Sequence, residues 1–202
     1  MSLFENRQHR ITAARTYYRI AREQAALFHQ RRKAQANLES GPCSEEEQGA
    51  IFQQIEENSE QKWQAAMIAV TFAGMALEAF FFDYGADGLG GDFVEKHLDR
   101  KLDLPSKYLI YPKLVCGVGP NKSERTFELV RKLAALRNEL VHSKSKAFPM
   151  QNLDKAADHH DEYHARLAKG VDESIACVRA VMRELDKLHP GNSFEASMED
   201  AS

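Results

Sequence analysis

Apolar residues recur along most of the chain at intervals of three and four, the spacing of one helix face, and no segment alternates in the manner of a strand. Over residues 4–38 the stripe is Ile11, Ala14, Tyr18, Ala21, Ala25 and Phe28. Gly41-Pro42 breaks it, and Ser44 with Glu45, Glu46 and Glu47 offers an N-cap, a capping box and first-turn acids for a second long helix. That helix carries Phe52, Ile55, Ser59, Trp63, Ala66, Val70, Ala73, Leu77 and Phe80, and is predicted to run to about residue 83. The glycine-rich stretch 84–91 then reads as a loop. It follows a helix rather than a strand and lacks a Gly-Lys-Ser/Thr ending, which argues against a phosphate loop.

Two short helices, over 92–100 and 105–115, are punctuated by Pro105, Pro112 and Pro120. Ser123 is placed to cap the next helix, whose ridge is Leu129, Leu133, Leu136 and Leu140, with Pro149 at its exit. A last long helix over 151–189 turns Val171, Ile175, Val178, Met182 and Leu185 to the core before Pro190-Gly191. These elements predict an all-α fold, an up-and-down bundle of four to five main helices with short additional ones, in a single domain over residues 1–190. The small, polar and acidic residues 191–202 read as a disordered tail.

Composition narrows the setting. A chain of 202 residues can build a core without staples. Cys43, Cys116 and Cys177 are odd in number, widely spaced and outside any CxxC pair, so neither a disulfide framework nor a thiolate zinc site is indicated, and a reducing cytoplasmic location is expected. The first residues lack the apolar region of a signal peptide. Residues 65–82 are nearly apolar for eighteen positions, close to the minimum for a membrane span. Six alanines, Gly74 and above all Glu78 weigh against it, since a charge at membrane depth costs roughly 2.5–3.5 kcal/mol. A central bundle helix and no membrane are the expectation.

The net charge of −3 hides an asymmetry: residues 1–38 carry +6, residues 39–61 carry −7, and residues 122–146 carry +4. Two basic segments can gather into a local phosphate-attracting patch, with Arg131, Lys132, Lys144 and Lys146 as candidate RNA contacts. Solvated helix faces explain the same charges without a ligand.

The densest chemistry is Leu136-Arg137-Asn138-Glu139-Leu140-Val141-His142-Ser143. It sets a permanent cation, an amide and a titratable imidazole at the end of an amphipathic helix. Histidine moves protons near neutral pH, and arginine stabilises charge on phosphorus-bound oxygens. At about 100° per residue, however, Arg137 and His142 lie roughly 140° apart, so they converge only where the helix ends or distorts, or where a second subunit completes the site. Glu78, the one ionisable group in the apolar run, needs a cation or donors if buried, and Arg137 is its proposed partner. Pairing with another base, or reaching solvent, serves equally. Such a pair would make Glu78 a support for Arg137.

The motif LRNELVH on a bundle helix resembles the Arg-x4–6-His signature of the HEPN superfamily. TFAGMALEAFFFDYGAD, Thr71 to Asp87, is similar to the second core helix of that family with its acidic residue, and KLDLPSKYLIYPKLV followed by a basic helix is similar to its usual order. The resemblance covers about residues 45–185. It implies a helical bundle that often forms homodimers with two motifs meeting across the two-fold axis. It also implies a metal-independent endoribonuclease needing no cofactor, in which the RNA 2′-hydroxyl attacks the adjacent phosphate, in a toxin or anti-phage setting with an antitoxin or nucleotidyltransferase partner. Carried over, His142 is general base or acid, Arg137 stabilises the phosphorane, and Asn138 orients His142 or the phosphate. Other relatives are non-catalytic nucleotide-binding or protein-interaction modules, and that alternative stays open.

Three further features carry less. His160 and His164 stand one turn apart, but Asp161 replaces the glutamate of a zinc-protease helix, so no metal site is assigned and a core or interface histidine is the simpler reading. Phe80, Phe81, Phe82 and Tyr84, with Tyr17 and Tyr18, can stack bases, although aromatics at this spacing more often fill a core. Ser143 and Ser145 lack the glycine elbow of a serine hydrolase.

Overall fold

The computed structural model describes residues 12–41, 48–142 and 153–199. The start of the first predicted helix, the Ser44 cap with its three glutamates, Pro149, Ser143, Ser145, Lys144 and Lys146 lie outside the described residues. What is described is an all-α helical bundle, with no strand among those residues. Helix α1 spans Thr12–Ser40 and α2 Gln48–Leu89. A short α3, Gly91–Phe93, runs into a π-helical turn, Val94–Asp99. Helices α4 (Leu104–Cys116), α5 (Arg125–Val141), α6 (Leu153–Leu188) and α7 (Phe194–Glu199) complete the order.

Residue pairings fix the helix directions. Tyr17 meets Phe72, Phe28 meets Trp63, and Asn58 donates to the Arg31 carbonyl, so numbers fall on one helix as they rise on the other and α1 opposes α2. Trp63 stacks on His164 and Tyr84 bonds His189, which makes α2 and α6 run the same way. Lys132 faces Glu173 and Glu139 faces Arg166, so α5 opposes α6. The four long helices therefore alternate in direction along the chain, with α3, the π turn and α4 inserted between α2 and α5. The core they enclose is built on Phe28, Leu77, Phe81, Tyr108, Leu167, Met182 and Leu185, each essentially buried. Full burial of such side chains stabilises by about 1.5–3 kcal/mol apiece.

Helix α2 is long and apolar enough to cross a membrane, and 56% of that apolar window is buried inside the fold. The predicted stripe is sound from Trp63 to Phe80, but Phe52, near the start of α2, is exposed.

Three boundaries differ from the sequence expectation. First, α2 does not stop near residue 83 but continues to Leu89. Its glycines there serve contact rather than turning: a Cβ on Gly85 would lie 2.8 Å from two ring atoms of Tyr111, and one on Gly88 would lie 2.6 Å from both methyls of Val115. Only glycine lets α4 approach this closely, and the chain turns afterwards at Gly90, whose φ is +90°. Second, the N-cap of α5 is Glu124 rather than Ser123, and no side-chain hydrogen bond caps it; the Ser123 amide instead donates to Asn121 Oδ1. Third, residues 194–199, within the expected disordered tail, form α7 and bury Phe194 and Met198. Asp186 accepts from the Phe194 and Glu195 amides, and Glu195 and Glu199 pair with Arg183 and Arg179. Polar composition concealed two apolar anchors one turn apart.

Candidate functional site

Helices α2, α4 and α5 meet around Arg137. Gly74 and Glu78 are one turn apart on α2, so they present the same face to α5. Gly74 leaves room for the Arg137 stem, since a Cβ there would stand 3.2 Å from Arg137 Cγ. One turn on, Glu78 Oε2 accepts from Arg137 Nη2 at 3.2 Å. Arg137 Nη1 donates to Asn138 Oδ1 at 3.3 Å, while Arg137 Nε is buried with no hydrogen-bond partner. About a quarter of the Arg137 side chain, 26%, faces solvent.

The third wall comes from the start of α4. Asp103 caps this helix, accepting from the Ser106 amide at 2.9 Å. The Ser106 hydroxyl and amide hold its carboxyl below the usual carboxylate range, so it is charged at neutral pH. Gly74, Glu78, Asp103, Leu104, Ala134, Arg137 and Asn138 together line a cavity of about 170 Å³.

His142 stands apart. The α-helix ends on it, with φ −111° and ψ 15°, and its amide donates to the Asn138 carbonyl at 2.9 Å. It is exposed, and its ring makes no hydrogen bond or ion pair among the described residues. By register it follows Lys132, Ala135 and Glu139, the α5 wall of a groove of about 380 Å³ against α6. The fold thus brings Glu78, Arg137 and Asn138 together and leaves the His142 ring outside the cluster. Asn138 touches both: its side chain bonds Arg137, and its backbone carbonyl receives the His142 amide.

Among the proposed RNA contacts, Arg131 pairs with Glu128 at 3.1 Å and Lys132 stands 3.8 Å from Glu173, so both charges are already compensated on an exposed surface. His160 and His164 do approach each other, with ring centroids 3.9 Å apart, but no group of three metal-ligating side chains forms among the described residues. His164 lies flat on Trp63 at 3.9 Å, while Lys62 Nζ sits 4.5 Å from the same Trp ring. Burial first, then His160 and Lys62, lowers the His164 pKa. Phe80, Phe81, Tyr84 and Tyr18 are core residues, and Tyr17 packs edge-on against Phe72.

Sequence reasoning passed over Gly74 and Asp103. A signal existed for each: Gly74 stands one turn before the lone acid of the apolar run, and Asp103 precedes Leu104-Pro105 as an N-cap should. It also passed over a cleft of about 440 Å³ at the far end of α5, where Tyr108 donates to Glu184 at 2.6 Å and Glu184 raises the Glu124 carboxyl pKa. No protein-family model, curated protein or solved structure matches the chain.

Proposed function

We propose that the protein is a HEPN-type, metal-independent endoribonuclease acting in the cytoplasm as a homodimer, in a toxin or anti-phage role under the control of an antitoxin or nucleotidyltransferase partner. The observation that carries the reading is the Arg137-to-His142 motif at the end of α5, with Arg137 anchored on Glu78 of α2 at 3.2 Å. In this reaction His142 takes the proton of an RNA 2′-hydroxyl. The 2′-oxygen bonds to phosphorus, the bond from phosphorus to the 5′-oxygen breaks, and the departing 5′-oxygen is protonated. Arg137 stabilises the extra negative charge on the phosphorane through its solvent-facing edge. Because His142 leaves α5 on another side, the reading requires a second copy to bring a histidine to each arginine. Its test is incubation of the purified protein with mixed RNAs in EDTA. Cleavage lost in both Arg137→Ala and His142→Ala supports the proposal; absence of cleavage, or its survival in both variants, refutes it.

A non-catalytic nucleotide-binding or protein-interaction module is the second reading, favoured by the uptake of the Arg137 guanidinium by Glu78 and Asn138. It requires a folded His142→Ala protein with unchanged partner binding and no RNA turnover in the parent.

A further inference from the structure

The cavity beside Arg137 does not suit the phosphate that Arg137 would serve. Glu78 and Asp103 both line it, and two carboxylates repel a phosphodiester entering between them. The phosphate must therefore meet Arg137 from its solvent-facing edge, which leaves the cavity to a neutral group. Its volume of about 170 Å³ is below the 300–1,000 Å³ typical of drug-sized ligands and suits one planar ring system.

The polar lining specifies that ring further. A carboxylate has about four acceptor sites. Glu78 accepts from Arg137, and Asp103 from the Ser106 amide and hydroxyl, which leaves acceptor sites on both carboxylates. A donor is also present: the Asn138 side-chain amide, whose oxygen accepts from Arg137 Nη1, still carries N–H groups. The cavity lining thus combines carboxylate acceptors with an amide N–H donor. Guanine is the one common base whose Watson–Crick edge holds two adjacent N–H donors next to a carbonyl acceptor. Adenine and cytosine place a ring-nitrogen lone pair beside their amino group, and uracil flanks a single N–H with two carbonyls; each sets a lone pair against a carboxylate.

We infer that the Gly74–Glu78–Asp103–Arg137–Asn138 cavity is a guanine subsite that selects the base adjoining the phosphate held by Arg137. N1–H and the 2-amino group bond to the carboxylates, and O6 accepts from the Asn138 amide. Gly74 leaves the room that seats the Arg137 stem beside it. The inference rests on the ribonuclease reading for its biological use, but base binding can be measured separately.

The test titrates the full-length protein, in EDTA, with guanosine, inosine and adenosine 5′-monophosphates by calorimetry, and sequences the ends of RNA products in parallel. The guanine nucleotide should bind at least about tenfold more tightly than the adenine nucleotide, and more tightly than inosine, which lacks the 2-amino donor, as expected of a bidentate contact. Asp103→Asn retains a good N-cap and should keep the fold while erasing most of that ratio. Cut ends should carry guanine on one side. Equal binding of the three nucleotides, or an Asp103→Asn protein with an unchanged ratio, overturns the subsite. Cleavage without guanine at the cut also overturns it and leaves the nuclease standing. Guanine-selective binding without cleavage sustains the subsite and refutes the nuclease.

Discussion

Arg137 of α5 reaches Glu78 of α2 across 3.2 Å, passing over Gly74 one turn earlier on the same helix. The pair is neither a surface ornament nor sealed from water, with side-chain exposures of 26% and 35%. Its strength should lie between the weak coupling of exposed pairs and the larger loss on breaking a buried one. Allowing for screening, Glu78→Ala should destabilise by about 1–2 kcal/mol in urea unfolding. A double-mutant cycle with Arg137→Ala should return a coupling above about 0.5 kcal/mol. Additive losses would mean that the two groups are neighbours without being partners.

His142 offers the opposite case, because it is exposed and, among the described residues, is held only through its amide. Replacing it with alanine should change stability by no more than about 0.5 kcal/mol. If it transfers the proton, the same change should slow RNA cleavage by about 10²–10⁴-fold. Chelation should leave the parent rate unchanged. A rate that collapses in EDTA and returns with a divalent ion would exclude the mechanism proposed for the parent.

Gly74 and Gly85 separate positioning from packing on one helix. Gly74→Ala gains up to about 1 kcal/mol of helix propensity, and its Cβ presses on the flexible Arg137 stem at 3.2 Å. Thermal stability should hold or rise while cleavage and guanine binding fall. Gly85→Ala gains the same propensity but meets the fully buried Tyr111 ring at 2.8 Å. Overpacking of this kind should give a net loss of about 1–3 kcal/mol. A stabilised Gly85→Ala protein would show that α2 and α4 can separate freely.

The contrast explains what the sequence could disclose. Ala14, Tyr18, Ala21, Ala25 and Phe28 are all buried because a period of 3.6 survives in the order of residues. That Glu78 needs a partner was also legible, since a lone acid in an apolar run demands one, but the sequence left Arg137, another base and solvent equally open. Gly85 and Gly88 read as a loop in the sequence because glycine signals both bending and close approach, and only the position of α4 decides which. Asp103 was missed for a similar reason: its role at the cavity depends on a meeting of α4 with α5 that no local pattern records.

His164 gives the stability a pH dependence. Its pKa is lowered in the fold, mainly by burial and then by His160 and Lys62, with Asp161 acting the other way. The unfolded chain, near pKa 6.5, therefore binds the proton first. The full contribution to stability is present above that value and is lost as pH falls toward the lower folded pKa. Urea midpoints should drop between pH 8 and pH 5.5 in the parent, by less in His164→Phe. Parallel pH profiles for the two proteins would assign the slope to other groups.

Cutting the chain after Pro190, as its polar last residues invite, would strip away Phe194 and Met198 along with the carboxylates that pair with Arg179 and Arg183. The rings of Phe80 and Tyr84, against which Phe194 packs, would then face water. Two arginines stripped of their carboxylates beside bare aromatic rings form a surface that sticks to nucleic acid regardless of sequence. A shortened protein would thus counterfeit RNA binding at the wrong end of the molecule.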